Sequence, residues 1–227
     1  MKYNDFEIAL SKPRIGRYLL AANGDVNKAL RLYKQNIQLS QTLFGLLSIF
    51  EVTLRNHIDQ YYRKHFNDNE WLKNNCIESG IFSHQSFSKS GFESRTKILT
   101  TLAQLGKRYN HDRLVAELGF GFWTYMFAPI QFMVGGQALH KIFINRSKAT
   151  TQKQIFNELD QIRSLRNRIA HHEPLCFDNH HKIFTKHTET TYHCIIKQTI
   201  WLGYDSDKLF LDLDETQKVL TIIENER

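Results

Sequence analysis

A segment without proline runs from Val26 to about Phe66 and has the sequence VNKALRLYKQNIQLSQTLFGLLSIFEVTLRNHIDQYYRKHF. Its apolar residues recur at intervals of three and four, which places them on one face of an α-helix. Asp25 stands immediately before the segment as a helix N-cap. The pattern predicts one long amphipathic helix, with Gly45 as the candidate site of a bend. A helix of this length must pack along a partner helix or subunit.

Helical periodicity also dominates the rest of the chain, which has only three prolines and eleven glycines. A first short helix is predicted from the N-cap Ser11, with Pro13 in its first turn, to the capping pair Asn23-Gly24. Asn67 to Ser94 is predicted as a loop with a short helix around Trp71. Further helical segments are predicted at Arg95 to Tyr109, Thr151 to His172, Lys182 to Leu202 and Leu213 to Glu224. Leu114 to Phe127, which contains Gly-Phe-Gly-Phe-Trp, is predicted as a tight aromatic element that packs helix against helix. The sequence therefore predicts a single all-α domain over residues 1–227.

The composition is that of a folded, basic protein. Hydrophobic residues make up 41% and charged residues 23% of the 227 positions, which argues against disorder. The formal net charge of +7 favours acidic partners, nucleic acid first. Cys76, Cys176 and Cys194 are widely spaced and form no CxxC pair. We therefore expect no disulfide scaffold, and we expect the protein to reside in a reducing compartment.

No targeting or membrane segment is expected. The stretch from Met1 to Leu10 contains Asp5 and Glu7 and lacks the uninterrupted apolar core of a signal peptide. The most apolar stretch, Leu43 to Leu54, is too short to span a bilayer. These features predict a soluble cytoplasmic protein with no membrane partner.

The segment Arg163-Ser-Leu-Arg-Asn-Arg-Ile-Ala-His-His-Glu-Pro174 brings three arginines, an asparagine and two histidines to one helix end. Guanidinium groups pair with phosphate oxygens, and imidazole transfers protons near neutral pH. The combination suits a phosphodiester and predicts an RNA-cleaving site that contains Arg166, Asn167 and His171. The plain alternative is that the histidines interact with the C-terminal helix dipole while the arginines are solvated.

The spacing of the motif limits how one helix can use it. Each residue of a straight helix turns by about 100°, so Asn167 and His171 share a face, which Arg163 extends backwards, while Arg166 and His171 point about 140° apart. One ideal helix does not direct both at a single phosphate. Either the last turn before Pro174 is distorted, or a second copy of the helix comes from a dimer. The dimer is favoured, because a symmetric contact brings two Arg/His sets into one basic cleft.

The segment Leu165-Arg-Asn-Arg-Ile-Ala-His-His-Glu-Pro-Leu175 closely resembles the hallmark of the Abi-like proteins (abortive infection, AbiD/AbiF-type), bacterial members of the HEPN superfamily. Three other segments resemble the same family in the same order. They are Ala29-Leu-Arg-Leu-Tyr-Lys-Gln-Asn-Ile-Gln-Leu-Ser40 (the opening helix), Glu51-Val-Thr-Leu-Arg-Asn56 (Glu-x3-Arg-Asn) and Leu118-Gly-Phe-Gly-Phe-Trp123 (the central aromatic motif). As a set they are specific, although each alone would be weak.

The resemblance implies an HEPN-like helical bundle with one long helix and additional helices. In active members it implies an endoribonuclease that uses no metal and no cofactor and builds an Arg-x4–6-His site at a homodimer interface. In this chain the arginine is Arg166, the polar residue after it Asn167, and the histidine His171, which shares a face with Asn167. His172 also satisfies the Arg-x4–6-His spacing, so it is the alternative candidate for the catalytic histidine.

The function that the resemblance implies is antiviral, toxin-type defence by RNA cleavage. Attack by the RNA 2′-hydroxyl would leave a 2′,3′-cyclic phosphate and a 5′-hydroxyl, and DNA would be bound without being cut. The family's context makes an RNA or protein antitoxin a candidate partner. A non-catalytic RNA-binding module is the alternative function, because the superfamily contains such members. A scaffold built on the long helix is a third hypothesis.

Three further residues receive supporting roles. Glu51 and Arg55 are four apart on the long helix, and spacing alone predicts an intrahelical ion pair worth roughly 0.3–0.5 kcal/mol. The family resemblance suggests instead that they brace the catalytic helix. Arg163 is assigned a similar supporting role at the motif itself.

Two other groups of residues are assigned ordinary structural roles. Six of the eleven histidines lie between positions 171 and 193, close to Cys176 and Cys194, but no pair has zinc-finger spacing. A solvated basic region without a metal is therefore favoured over a zinc site.

Phe120, Phe122 and Trp123 have rings that can stack on bases. Because they lie in an apolar run flanked by glycines, we expect them in the core.

Overall fold

The computed structural model describes residues 3–86 and 93–227. Within these residues the chain forms twelve α-helices and no strand, so the fold is all-α, as the sequence predicts. The helices are α1 Tyr3–Leu10, α2 Lys12–Ala21, α3 Val26–Phe66, α4 Trp71–Asn74, α5 Ser94–Leu105, α6 His111–Glu117, α7 Phe120–Tyr125, α8 Pro129–Val134, α9 Gln152–Ala170, α10 Lys186–Trp201, α11 Ser206–Leu209 and α12 Thr216–Glu224. Short 3-10 helices occur at Ile81–Ser83, Gly106–Arg108 and Leu139–Ile142.

The chain divides into two compact units. The first consists of Met1–Ser48, Ser164–Ile196 and Ser206–Arg227. The second consists of Ile49–Arg163 and Lys197–Asp205. Each unit therefore combines segments that are far apart in the sequence.

The long helix α3 begins and ends where its periodicity predicts. The carboxylate of Asp25 accepts a hydrogen bond from the N–H of Lys28 at 3.1 Å, which is the predicted N-cap. Among the described residues, α3 is the one helix that is long and apolar enough, by length and composition, to cross a membrane. One such helix is weak evidence of a membrane span, because the core helix of a soluble protein passes the same test.

Helix α2 begins after Ser11 and ends as predicted, but its start lacks the predicted capping hydrogen bond. Asn23 and Gly24 have φ of 53° and 87°, and the N–H of Gly24 donates to the carbonyl of Leu19 at 2.9 Å, so this pair closes the helix. The predicted side-chain cap by Ser11 is wrong, because Ser11 has a φ of 68° and its side chain makes no capping hydrogen bond. Helix α1, which the sequence analysis did not predict, precedes it.

Helix α9 buries the apolar face that its sequence predicts. Five residues spaced by three and four along the helix are all buried: Ile155, Leu159, Ile162, Leu165 and Ile169. Burial of such a stripe is what fixes the rotation of a helix about its own axis. The polar residues of the motif therefore lie on the remaining faces.

The two closing helices begin later than predicted. Helix α10 starts at Lys186 rather than Lys182, because Phe177 and Ile183 form an isolated antiparallel bridge. Helix α12 starts at Thr216 rather than Leu213, and the N–H of Thr216 donates to the carboxylate of Asp214 at 3.0 Å. In both cases a local hydrogen bond holds the preceding residues outside the helix.

The second unit contains the predicted aromatic packing element. Phe120, Phe122 and Trp123 are buried, as expected for core residues, and the indole N–H of Trp123 donates to the carbonyl of Leu118 at 2.8 Å. A helix around Trp71 is also confirmed. The predicted loop Asn67 to Ser94 lies partly outside the described residues, at 87–92.

A buried carboxylate, Asp59, is held by three side chains of the second unit. Its Oδ1 accepts a hydrogen bond from the indole N–H of Trp71 at 2.8 Å and lies 2.8 Å from His111 Nε2. Its Oδ2 accepts from Arg63 Nε at 2.7 Å. Burial opposes the charged carboxylate, but the hydrogen bonds from His111 and Trp71 and the charge of Arg63 outweigh it and lower the pKa of Asp59.

The three cysteines are buried, and none of them forms a disulfide in the described structure. Burial raises the pKa of Cys76 to about 11 and that of Cys176 to about 12. Both groups are therefore thiols at neutral pH.

Candidate active site

The end of α9 keeps regular helical geometry beyond Arg166. The N–H of His171 donates to the carbonyl of Asn167 at 2.9 Å, which is the hydrogen bond of an undistorted α-helical turn. The backbone positions of Arg166 and His171 are therefore about 140° apart around the helix. The sequence left two ways to bring these side chains together, a distorted last helical turn or a dimer. The turn between Arg166 and His171 is not distorted.

His172 closes the helix in a left-handed conformation, with a φ of 55°. Its N–H donates to the carbonyl of Ile169 at 3.0 Å, and the N–H of Glu173 donates to the carbonyl of Arg168 at 2.9 Å. These two bonds form a Schellman motif, which satisfies carbonyls that the last turn would otherwise leave unpaired. The helix therefore ends two residues before the predicted His172, and the two histidines leave it in different backbone conformations.

The three arginines of the motif have different environments. Arg163 forms an ion pair with Asp160, with Nη2 and Oδ1 2.7 Å apart, and its guanidinium lies 5.6 Å from the ring centre of Tyr125. Arg168 donates a hydrogen bond to the carbonyl of Pro174, and its Nε lies 3.5 Å from the carboxylate of Glu173. These contacts already satisfy two guanidinium groups of the motif.

Arg166 is the remaining arginine of the motif. Within residues 3–86 and 93–227, the side chains of Arg166, Asn167, His171 and His172 have no hydrogen-bond or ion-pair partner. Both histidines are exposed, and Arg166 and Asn167 are partly exposed. All four side chains assigned to the site from the sequence are therefore accessible to a ligand.

A cleft of about 320 Å³ in the first unit adjoins the end of α9. His171 and His172 line it together with Arg14 and Arg17 from α2. Arg166 is not among the described residues that line this cleft. A single chain thus groups the histidines with two arginines that sequence analysis did not single out.

Arg14 and Arg17 are three residues apart on α2 and share a face of that helix. Arg14 Nη1 donates a hydrogen bond to the carbonyl of His172 at 2.8 Å. Arg17 is exposed and has no hydrogen-bond or ion-pair partner in the part of the chain that the structure describes. Their spacing was the available signal, but only the tertiary structure shows that α2 lies beside the histidines.

The residues predicted to support the site lie in the second unit. Arg55 Nη1 donates to the carbonyl of Ala116 at 3.3 Å, and Glu51 is partly exposed one turn earlier on α3. Arg163 has the contacts to Asp160 and Tyr125 described above. The bracing roles of Glu51, Arg55 and Arg163 stay predictions.

The histidine-rich segment after the motif does not assemble a metal-ion cluster in the described structure. Among residues 3–86 and 93–227, no group of three or more His, Cys, Asp or Glu side chains is placed to hold a metal ion. The carboxylate of Asp178 in this segment instead accepts hydrogen bonds from the backbone N–H groups of His180 and Lys182, at 2.8 and 2.9 Å.

Most of the chain matches the model of a known protein family. The family model described as "Abi-like protein" matches residues 2–176. The matched range includes α2, α3 and the whole Arg166–His171 motif. No curated protein and no solved structure matches the chain.

Proposed function

The chain belongs to the Abi-like protein family, a membership that suggests a function in abortive infection, and from this premise we propose that it is a metal-independent endoribonuclease. In this proposal the cytoplasmic protein acts as a toxin-type defence factor that restricts an infected cell by cleaving its RNA. The observation that carries the proposal is the accessibility of Arg166. It is the one arginine of the motif whose side chain has no partner among the described residues.

We further propose that the site is completed in a homodimer with an HEPN-type arrangement. Because α9 is undistorted between Arg166 and His171, the two residues diverge by about 140° within one chain. A twofold contact presents the same surface of both subunits, so Arg166 of one copy can face His171 of the other. Exposure of both histidines is consistent with this arrangement.

The chemistry of the proposed reaction follows from the side chains. The imidazole of His171 removes the proton of the RNA 2′-hydroxyl as a general base, or protonates the leaving 5′-oxygen as a general acid. The guanidinium of Arg166 stabilises the negative charge that builds on the phosphorane. Asn167 orients the imidazole or the phosphate. The products are a 2′,3′-cyclic phosphate and a 5′-hydroxyl, and no step requires a metal.

Incubation of the purified protein with total RNA in EDTA, followed by end-group analysis, tests the proposal. We expect fragments with 2′,3′-cyclic phosphate and 5′-hydroxyl ends, and no fragments from Arg166→Ala or His171→Ala proteins that remain folded. Lys34→Ala is the matched control, because it removes one exposed charge from a helix outside the motif. RNA left intact by the wild-type protein would overturn the proposal.

A second candidate function is RNA binding without cleavage. The cleft that holds Arg14 and Arg17 beside the histidines favours it, because guanidinium groups bind phosphates whether or not a reaction follows. In that case the Arg166→Ala protein loses affinity for RNA, with a shallower salt dependence, and no fragments form with any variant.

A further inference from the structure

We propose that a base-stacking subsite adjoins the candidate active site, with Phe184 stacking on an RNA base and Arg17 binding the phosphate that connects this base to the reacting nucleotide. This inference rests on the proposed function. It concerns where the single-stranded substrate continues after it passes His171.

The subsite is a second cleft in the first unit, with a volume of about 710 Å³. Its lining includes Phe177, Phe184 and His187. It shares Arg17 and also Glu173 and Pro174 with the cleft that contains His171 and His172. Since the same residues line both clefts, the clefts are adjacent and are together called the groove below; Arg17 lines both of them.

An aromatic pair stands between the two clefts. Tyr18 lines the histidine cleft and Phe177 lines the second one, and their ring centres are 4.9 Å apart at an interplanar angle of 65°. Edge-to-face packing of this kind stabilises the position of both rings. One lining residue of each cleft is therefore held by packing against a lining residue of the other.

Phe184 leaves 39% of its surface exposed in the second cleft, where most of the other lining residues are polar or charged. A single exposed aromatic residue needs no explanation by itself, and Phe44 is an example with 52% exposure. Phe184 differs because it lines a cleft that arginine and histidine side chains also line, among them Arg17 and His187. Exposed rings combined with basic side chains are what proteins use to bind single-stranded nucleic acid.

The loop that carries Phe184 is held in place before any ligand binds. The N–H of Phe184 donates to the carbonyl of Cys176 at 2.8 Å, next to the bridge between Phe177 and Ile183. Asp178 accepts two backbone hydrogen bonds within the same loop. A preorganised loop loses little conformational entropy on binding, so the stacking energy contributes to affinity.

The charges of the groove suit a phosphate at Arg17. Glu173 is the acidic residue that lines both clefts, and its carboxylate lies 3.5 Å from Arg168 Nε. The other acid of the second cleft, Asp178, has one oxygen occupied by the backbone N–H groups of its own loop. Arg17 therefore remains the cation of the groove that has no partner among the described residues.

The test measures binding of a short fluorescein-labelled single-stranded RNA by anisotropy, in the non-cleaving His171→Ala background. We expect Phe184→Ala to weaken binding about tenfold, because stacking contributes roughly 1–3 kcal/mol per base. Phe184→Trp keeps a stacking surface and should bind as tightly as the parent. Arg17→Ala should weaken binding. It should also reduce the slope of log affinity against log salt concentration by about one, the change expected when one phosphate contact is lost. Phe44→Ala and Lys34→Ala are the matched controls and should leave affinity unchanged.

A set of RNAs with a single abasic site, moved along the strand, then locates the stacked base. At one position, loss of the base should weaken binding to the parent about tenfold but leave binding to Phe184→Ala unchanged. If no position shows this coupling, or if Phe184→Ala and Arg17→Ala bind like their controls, the subsite is disproved. Cleavage by the protein with His171 intact, measured in parallel, then decides whether the proposed function survives without it. Absence of all RNA binding would overturn both.

Discussion

The buried side chain of Asn36 accepts a hydrogen bond from the backbone N–H of Leu175 at 2.7 Å. The carbonyl of Leu175 in turn accepts from Thr188 Oγ1 at 2.7 Å. Asn36 belongs to the opening segment of α3, and Leu175 is the last residue of the Arg166–His171 motif segment. A hydrogen bond therefore joins two of the segments that resemble the same family. The backbone N–H and carbonyl of the buried Leu175 together hold the chain where it leaves the motif.

Loss of this hydrogen bond should destabilise the first unit. Asn36→Ala leaves the buried N–H of Leu175 without a partner, so we expect the free energy of unfolding to fall by about 1–3 kcal/mol. Urea denaturation measures the change. Asn27→Ala, an exposed position on the same helix, is the control and should change stability by less than about 0.5 kcal/mol. Equal stability of the two variants would show that the Asn36 bond contributes nothing.

Substitution of His172 by glycine separates the two histidines. The φ of 55° at His172 is strained for a side chain with a Cβ, so His172→Gly should keep or raise stability, by up to about 1 kcal/mol. If His171 is the catalytic ring, the His172→Gly protein retains cleavage while His171→Ala loses it. His172→Ala, which removes the ring but keeps the strain, is the control. Loss of cleavage in both His172 variants, with folding intact, would assign catalysis to His172.

Mixing two inactive variants tests the composite site. When Arg166→Ala and His171→Ala subunits exchange at random, half of the dimers are mixed, and each mixed dimer has one site with both native residues. We therefore expect roughly a quarter of the wild-type cleavage rate after mixing. Each variant mixed with itself is the control. If no activity returns although native mass spectrometry shows mixed dimers, Arg166 and His171 of one chain act together and the composite site is wrong.

The Asp59 network should make stability depend on pH in the acid range. Because the pKa of Asp59 is lower in the folded protein than its ordinary value of 3.8, its contribution is fully present above that value and is lost as pH falls through the folded pKa. We expect Asp59→Asn to reduce the free energy of unfolding by about 2–3 kcal/mol at neutral pH, and by less as the solution is acidified below the ordinary carboxyl pKa. Urea titrations across this pH range measure the difference.

Asp212→Asn is the control for that series, because Asp212 is exposed and has no hydrogen-bond or ion-pair partner within the described residues. Its stability should follow the wild-type protein at every pH. A constant difference between Asp59→Asn and wild type across the series would contradict the assigned role of the ionised carboxylate.

The cysteines should be unreactive in the native protein. Burial raises the pKa of Cys76 to about 11 and that of Cys176 to about 12, so neither is a thiolate at neutral pH. We expect slow reaction of these thiols with a disulfide reagent such as DTNB in buffer and rapid reaction of all three cysteines in urea. Mass spectrometry of the labelled peptides identifies each site. Rapid native labelling of Cys176 would contradict its burial.

Long periodic patterns were the most predictable part of the fold. The absence of proline and the spacing of apolar residues predict both ends of α3, and the apolar stripe of α9 predicts its buried face. Both features were predictable because they depend on residues that are neighbours along one helix. Helix starts were less predictable. Ser11 is a residue type that favours the N-cap, but it has a positive φ and its side chain makes no capping hydrogen bond. The bridge between Phe177 and Ile183 delays the start of α10.

The candidate site was predictable to the extent that it lies on one helix. The motif identifies Arg166, Asn167, His171 and His172 by residue type and spacing, whereas Arg14 and Arg17 precede it by about 150 residues. Nothing in their local sequence links them to the histidines. The hydrogen bond from Arg14 to the carbonyl of His172 appears only when α2 packs beside the end of α9 in the first unit.

The amino-acid sequence by itself determined the all-α class, the extent of the long helix and the helix end that carries the motif. Those features arise from interactions between residues a few positions apart, which periodicity records. The tertiary structure alone decided which guanidinium groups of the motif are already paired and which distant arginines join the histidines. Side-chain pairing and burial depend on how separate segments pack, and this information is distributed over the whole chain rather than held in any local pattern.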